Sequence, residues 1–507
     1  MKDFLLSKLK HHPCFHRPKD ISNPLLDSDL NEISLRNSKI HISRCPGRLS
    51  FSKHCDYVNN DLLYLAANYE TLVAVQVSVL ALGEISILNE TAQAFIEIYN
   101  LNPDFQELIL SQDQVIENIS TIKSTISDQC LNDHKSNWTF YILKILDLLS
   151  KEDLDFDLAK ILSLKIVVNS DLPAAAGMSS SHALILASLM SLIRALHSHG
   201  LLKNIDKTYF RYLLNSGAEG TNDLLNLLKF CQKVEIAKGF NSGLGDQAAQ
   251  ILSRKNYFCF IKLFPELSFK YQKIPGGISF MILPSFIKAE KTSDEYKLKE
   301  KYFDRYKEVN QLTPFFLGDM LYSLTDKEIL EKLKKLKETQ DDKKLPNLAL
   351  YALAEGARLK DLKQNFCIEK MFEHVNLSHL AEWVSDSSPH PMIFSADLKV
   401  GNSIFAAQES ININLKLANH IGAYRSSTLF NDSLQSFALS LEGVYACSIM
   451  GAGLGGNNIA VVSSEKIDSI KKTLIEDFYS HYDLAEKAKT AILVNSSANG
   501  LEYLGEF

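Results

Sequence analysis

Tryptophan occurs only twice in the 507 residues, and cysteine eight times with no paired spacing. Cysteines scattered from Cys14 to Cys447 give no disulfide framework and are expected to be reduced, mostly buried thiols. An excess of positive charge is missing as well: 54 Lys and Arg stand against 60 Asp and Glu, for a net charge of -6. Without a broad basic field, nucleic acid is not an expected partner. No apolar run reaches the length that spans a bilayer, and Met1–Lys8 lacks the apolar core of a signal peptide, so no membrane partner is expected and the chain is placed in the cytoplasm. The run His11 His12 Pro13 Cys14 Phe15 His16 holds four potential metal ligands, but no second ligand pair accompanies it, so it reads as a mobile or edge-lying N-terminal segment rather than a zinc site. What is present is the composition of a globular protein, 46% hydrophobic, with a length suited to two or three domains and enough apolar residues for a large core.

Two segments rich in glycine and serine carry the chemistry. In the first, the apolar run Lys165 Ile166 Val167 Val168 reads as a strand. A small-residue turn, Leu172 Pro173 Ala174 Ala175 Ala176 Gly177 Met178 Ser179 Ser180 Ser181, follows it, and a helix begins at Ala183. A loop entering a helix N-terminus offers backbone N–H groups and the positive end of the helix dipole to a phosphate, and serine hydroxyls add donors and Mg2+ ligands. The same serines also fit a plain N-cap on a core helix. In the second segment, Gly451 Ala452 Gly453 Leu454 Gly455 Gly456, the GxGxxG spacing of a dinucleotide site is satisfied. Ile459 Ala460 Val461 Val462 then reads as a strand, where a dinucleotide fingerprint would open a helix. The segment is therefore expected to be a turn between strands at which another backbone approaches closely.

Between these landmarks, Lys39–Ser43, Thr71–Val77 and Glu84–Leu88 alternate like strands. Thr139–Leu149 has helical spacing, and Thr325 with Glu328 forms a capping box for a charged surface helix over Asp326–Glu338. Polar stretches at Ser111–Asn137 and Gln340–Lys344 read as loops or insertions. Trp138 and Trp383 read as packing residues, with base stacking the alternative.

A third motif, Cys45 Pro46 Gly47 Arg48 Leu49 Ser50 Phe51 Ser52 Lys53 His54 Cys55 Asp56 Tyr57 Val58 Asn59 Asn60, gathers Arg, Lys, His and Asp in a short connection after a strand, as suits binding of a polyol or phosphate. The order of the three motifs resembles the GHMP kinases and, within them, galactokinase, with its signature GRVNLIGEHTDYNGG, its phosphate loop PxGxGLSSSA and its late GxGFGG turn. Glu235 ahead of Gly243 Leu244 Gly245 Asp246 Gln247 is similar to the family's glutamate and GIMDQ, and Ser293 Asp294 Glu295 Tyr296 to its SSEY.

The resemblance implies an α+β, two-lobed GHMP kinase fold: a ribosomal protein S5 domain 2-like N-terminal lobe over residues 1–265 and a ferredoxin-like C-terminal lobe over 266–507, with the site in the cleft. It implies a monomeric sugar kinase that moves the γ-phosphate of ATP to a hydroxyl, the anomeric one, of galactose or a related sugar. ATP phosphates would lie on Gly177, Met178, Ser179, Ser180 and Ser181, with Mg2+ at Ser180, Ser181 and Glu235. Asp246 would be the general base and Arg48 its ionising partner, while Arg48, His54, Asp56, Gly243, Asp246 and Tyr296 would contact the sugar. Asp246 also reads as a helix N-cap ahead of Gln247–Leu252.

The chain departs from the family in three respects. The signature is one residue shorter between Arg48 and Asp56, and Lys53 stands where galactokinases carry a glutamate that accepts from a sugar hydroxyl. A lysine cannot accept there but can pair with an anion, so galacturonate is an alternative acceptor. Ala174–Ala176 replace at least one glycine of the phosphate loop, from which lower nucleotide affinity is expected. A non-catalytic sugar and nucleotide sensor is the remaining alternative.

Overall fold

The structure is a computed structural model. It describes residues 7–15, 38–52, 61–79, 95–117, 125–152, 154, 156, 158, 161–173, 177–214, 221–240, 242–264, 266–287, 328, 331, 356, 358–368, 371, 428–451 and 455–507.

Two sheets organise these residues. The larger has eight strands. Its centre is β1 (Ile40–Ser50), β2 (Leu62–Val79), β3 (Phe95–Asn100), β4 (Leu108–Leu110) and β5 (Ile161–Ser170), in the spatial order β1-β2-β5-β3-β4. Only β3 and β5 run parallel; the other pairs are antiparallel. The apolar alternation of Thr71–Val77 places these residues on a strand buried along nearly its whole length. On this sheet lies α2 (Ser180–Ser198), tied down by Ser191 Oγ donating to the Val73 carbonyl at 2.9 Å, and α1 (Phe140–Lys151) packs against α2. The hairpin of β6 (Tyr257–Lys262) and β7 (Ser268–Lys273) extends the sheet from the far end of β2.

The smaller sheet is antiparallel, built from β8 (Ile278–Pro284), β9 (Val444–Ile449), β10 (Asn457–Ser463) and β11 (Leu493–Asn495) in the order β9-β10-β8-β11. Strict alternation decides what each face covers. Phe280, Ile282, Ile459 and Val461 join the core of the larger sheet, while Met281, Leu283, Ala460 and Val462 pack with residues of α5 (Leu429–Leu439) and α6 (Ile467–Thr473) in a second core. A strand covered on both faces reads as a continuous apolar run, which is how Ile459–Val462 looks in sequence.

A single cut at residue 265 does not separate the two sheets. That cut falls inside the β6–β7 hairpin, and a last strand, β12 (Glu502–Glu506), returns to pair with β1. Neither strand carries the periodic apolar pattern that marks a core element: β7 reads SFKYQK and β12 reads EYLGE. The return is held by polar contacts. Arg44 Nε donates to Glu502 at 2.6 Å and Arg44 Nη1 to buried Glu70 at 2.9 Å.

Other expectations fare variously. Thr139–Leu149 is helical, as α1. Within the polar stretch after Ser111, residues Asp128–Asp133 form a helical turn because Ser127 caps it, accepting from the Cys130 N–H, while Cys130 and Leu131 are buried. The N-terminal run packs on the larger sheet through Leu9, Cys14 and Phe15, with Lys165 Nζ on the Cys14 carbonyl at 2.6 Å. Trp138 packs edge-to-face on Phe105 and donates to the Gln106 carbonyl at 3.0 Å. Glu84–Leu88, Gln340–Lys344 and Trp383 lie outside the described residues, as does the helix at Asp326–Glu338 apart from Glu328 and Glu331, both helical.

Candidate active site

The site forms where β1 ends, α2 begins and α4 (Gly245–Leu252) starts. β1 carries a register shift between Pro46 and Arg48, so the chain bulges at Gly47. A side chain at Gly47 would come within 2.3 Å of Leu172 Cδ2 and 3.1 Å of the Met178 carbonyl, which is why glycine stands there. The bulge lets the Arg48 N–H donate to the Met178 carbonyl at 3.0 Å, fixing the strand against the phosphate loop. It also sends the Arg48 side chain, itself buried, across to Asp246.

Arg48 and Asp246 form a two-pronged ion pair, Nε to Oδ1 at 2.6 Å and Nη2 to Oδ2 at 2.8 Å. Arg48 Nη1 also donates to the Gly177 carbonyl, and Ser179 Oγ donates to Asp246 Oδ2. Burial works to raise the pKa of Asp246. The charges of Arg48 and His182 and the hydrogen bonds from Arg48 and Ser179 outweigh it and hold the carboxyl well below the usual carboxylate range. Asp246 is not the helix N-cap. Leu244 occupies that position, and Asp246 lies in the first turn.

Ser179 does not cap either. It sits at the N-cap position of α2 with φ 59°, in the left-handed region, and makes no side-chain capping bond because its hydroxyl is turned to Asp246. Gln250 of α4 holds the Ser179 carbonyl at 2.9 Å. Ser180 and Ser181 form the first turn of α2. The Met178 side chain is buried in the core, so its contribution at the loop is its carbonyl. Gly177 has φ +73° and faces Gly451, also at φ +73°; a Cβ on Gly451 would stand 3.0 Å from the Gly177 Cα and carbonyl oxygen. The two glycine segments thus meet backbone to backbone, as expected of the second, whereas Ala452, Gly453 and Leu454 lie outside the described residues.

Glu235, on α3 (Thr221–Lys238), is fully buried, and neither of its carboxylate oxygens has a hydrogen-bond partner among the described residues. Around it stand His182, Tyr141 and Lys238. His182 Nδ1 lies 3.7 Å from Glu235 Oε1. The Tyr141 hydroxyl is hydrogen-bonded to Ser181, and its pKa is raised by burial and by the charge of Glu235. Lys238 is pulled down to about 8 by burial, against the opposing charge of Glu235. An orphaned carboxylate beside the serine turn suits a hard divalent cation completed by phosphate oxygens and water. No group of three or more His, Cys, Asp or Glu side chains converges on one point among the described residues.

Of the residues singled out in sequence, Arg48, Gly177, Met178, Ser179, Ser180, Ser181, Glu235, Gly243 and Asp246 gather in this region. His54, Asp56, Tyr296, Lys53 and Ala174–Ala176 lie outside the described residues. His182 and Gln250 were missed. His182 had a visible signal, since it follows the serine run where the PxGxGLSSSA form has alanine; Gln250 had none.

Comparison with known proteins gives this geometry its class. The family model for the GHMP kinases N terminal domain matches residues 141–254, the stretch that holds α2, Glu235 and Asp246. Over that stretch the chain resembles the GHMP kinases, and no helix of its described residues is long and apolar enough to cross a membrane. The chain is similar to galactokinase from Saccharomyces cerevisiae, 24% identical with 90% of each chain covered, and to galactokinase from Thermosipho africanus, 23% identical over 69% of this chain and 78% of the relative. The solved galactokinase of Lactococcus lactis, complexed with galactose, matches its fold with a TM-score of 0.59 at 16% identity, covering 92% of this chain and 95% of the other. The two-lobed GHMP kinase architecture accounts for the two sheets and the seam between them.

Proposed function

We propose that the protein is an ATP-dependent sugar kinase that transfers the γ-phosphate to the anomeric hydroxyl of galactose or a closely related sugar. The observation that carries this reading is the Arg48–Asp246–Ser179 cluster, which joins a carboxylate to the turn that opens α2. Names of the relatives supply the sugar class.

Asp246, ionised at neutral pH, accepts the proton of the acceptor hydroxyl as the phosphoryl group departs toward it. Its low basicity is tolerable because a loose phosphoryl transition state draws little on the base and depends on alignment. Arg48 holds that carboxylate in place and, through its bond to the Gly177 carbonyl, sets its distance from the phosphate loop. The positive end of α2 and the hydroxyls of Ser180 and Ser181 receive the phosphates. Glu235, with Ser180 or Ser181, would hold Mg2+, whose chemistry is to neutralise charge on the nucleotide phosphates. Gly243, and His54, Asp56 and Tyr296 by family position, would contact the sugar.

ADP release with MgATP is the test, over galactose, galacturonate, arabinose, other aldoses and mevalonate, with Asp246→Asn as control. Turnover with one sugar that falls by about 10²-fold or more in the variant supports the reading. A preference for galacturonate would assign Lys53 to the carboxylate, and silence across the panel with ATP still bound would replace the kinase by a sensor.

A further inference from the structure

The loop between α3 and α4 is fastened at Ser242 from two helices. Gln232, one turn ahead of Glu235 on α3, donates from Nε2 to the Ser242 carbonyl at 2.5 Å. From α2, His182 Nε2 is hydrogen-bonded to Ser242 Oγ at 2.9 Å, and that hydroxyl also donates to the Gly243 carbonyl at 3.1 Å. The carbonyls on both sides of Gly243 are thereby occupied. Its N–H has no partner among the described residues, and Gly243 is only half-buried. A trans peptide is planar, so its C=O and N–H point in opposite directions. Because Gln232 draws the Ser242 carbonyl toward α3, the Gly243 N–H of the same peptide is sent away from α3, three residues ahead of Asp246. A backbone donor left without a protein partner suits an oxygen brought by a ligand.

We propose that Gln232 is a positioning residue for the acceptor: by holding the Ser242 carbonyl it aims the Gly243 N–H at an oxygen of the sugar that gives its proton to Asp246. The inference rests on the sugar-kinase reading and deepens it by naming what orients the acceptor contact at Gly243. Glycine tolerates a wide range of backbone angles, so the Ser242–Gly243 peptide would otherwise be able to turn over. Turned over, it would present a carbonyl where the sugar needs a donor. Gln232 prevents this, and its place on the helix that carries Glu235 ties the acceptor contact to the element that bears the candidate cation ligand.

Gln232→Met keeps the length of the side chain and removes the donor. Its KM for the sugar should rise about 3–10-fold, the worth of one hydrogen bond, while its KM for ATP stays within about two-fold of the wild type. A side chain that only stabilised the loop would lower the melting temperature and leave the sugar KM in place. Gln232→Glu, whose ionised carboxylate cannot donate, is the second variant and should behave alike. Hydrogen exchange at the Gly243 amide, read by NMR on isotope-labelled glycine, needs no turnover: galactose, or another sugar of the panel, should slow it in the wild type and by less in either variant. Sugar-dependent ADP release with an unchanged sugar KM in a folded variant, or with Gly243 exchange indifferent to sugar, overturns the proposal and leaves the kinase reading standing. Sugar protection of Gly243 that is lost in the variants of a protein releasing no ADP upholds the proposal and rejects the kinase reading, and absence of both protection and ADP release rejects both. If neither variant folds, the wild-type exchange decides.

Discussion

Replacing Gly177 and Gly451 by alanine, singly and together, probes the seam between the two glycine segments. Each residue has φ +73°, and a side chain in the left-handed region costs about 1–2 kcal/mol. Sterics add to this. A Cβ at Gly177 would lie 2.9 Å from the Met450 carbonyl oxygen, and one at Gly451 would lie 3.0 Å from the Gly177 Cα and carbonyl oxygen. Backbone is on both sides, so neither clash relaxes by a rotamer change, and each single variant should lose about 2–4 kcal/mol. The two methyl groups enter the same gap. Once one has forced the segments apart the second has room, so the double variant should lose less than the sum, by about 1 kcal/mol or more. Denaturant unfolding gives the three values, and nucleotide titration should show weaker ATP binding in each variant, because the carbonyl that Arg48 holds belongs to Gly177. Losses that add to within about 0.5 kcal/mol would refute a shared gap.

Arg48→Met strands the Asp246 carboxylate in a largely buried site, with about 3 kcal/mol of stability lost and the carboxyl pKa raised; the acid limb of kcat against pH should then move upward, where an unmoved limb would free Asp246 from the pair. Asp246 stabilises the fold above its unfolded pKa of 3.8, and that contribution is lost only as pH falls through its depressed folded value. Glu235→Leu removes a fully buried carboxylate with no hydrogen bond among the described residues, so the cation-free protein should gain about 1–3 kcal/mol in thermal unfolding while losing divalent-cation binding; destabilisation without cation would show that Glu235 has a structural partner. His41, bonded to Tyr503 and Ser198, has its pKa lowered to about 4, chiefly by burial. The unfolded chain takes up this proton first, so stability should decline as pH falls from about 6.5 through 4, and His41→Asn should flatten that slope in urea midpoints measured across the range.

Local chemistry was legible from residues close in sequence. The strand, small-residue turn and helix around Gly177–Ser181 follow from apolar periodicity and from serines before a helix, and β2 and α1 follow from their periods of two and 3.6. Rejection of a dinucleotide site rested on the strand after Gly456, and that strand is β10. What the side chains do at long range was not legible. Ser179 and Asp246 each read as a helix cap; both hydroxyl and carboxylate turn instead to a partner dozens of residues away, because a buried arginine from a bulged strand offers more than a backbone N–H does.

By itself the sequence determined the motifs, their order and hence the resemblance to the GHMP kinases, since these depend on residue type and spacing along the chain. Only the tertiary structure decided that Gly451 leans on Gly177, that β12 returns to β1, and that His182 faces Glu235. Those contacts join residues 53 to more than 450 apart, and no periodicity runs across a gap that the packing of two sheets alone closes.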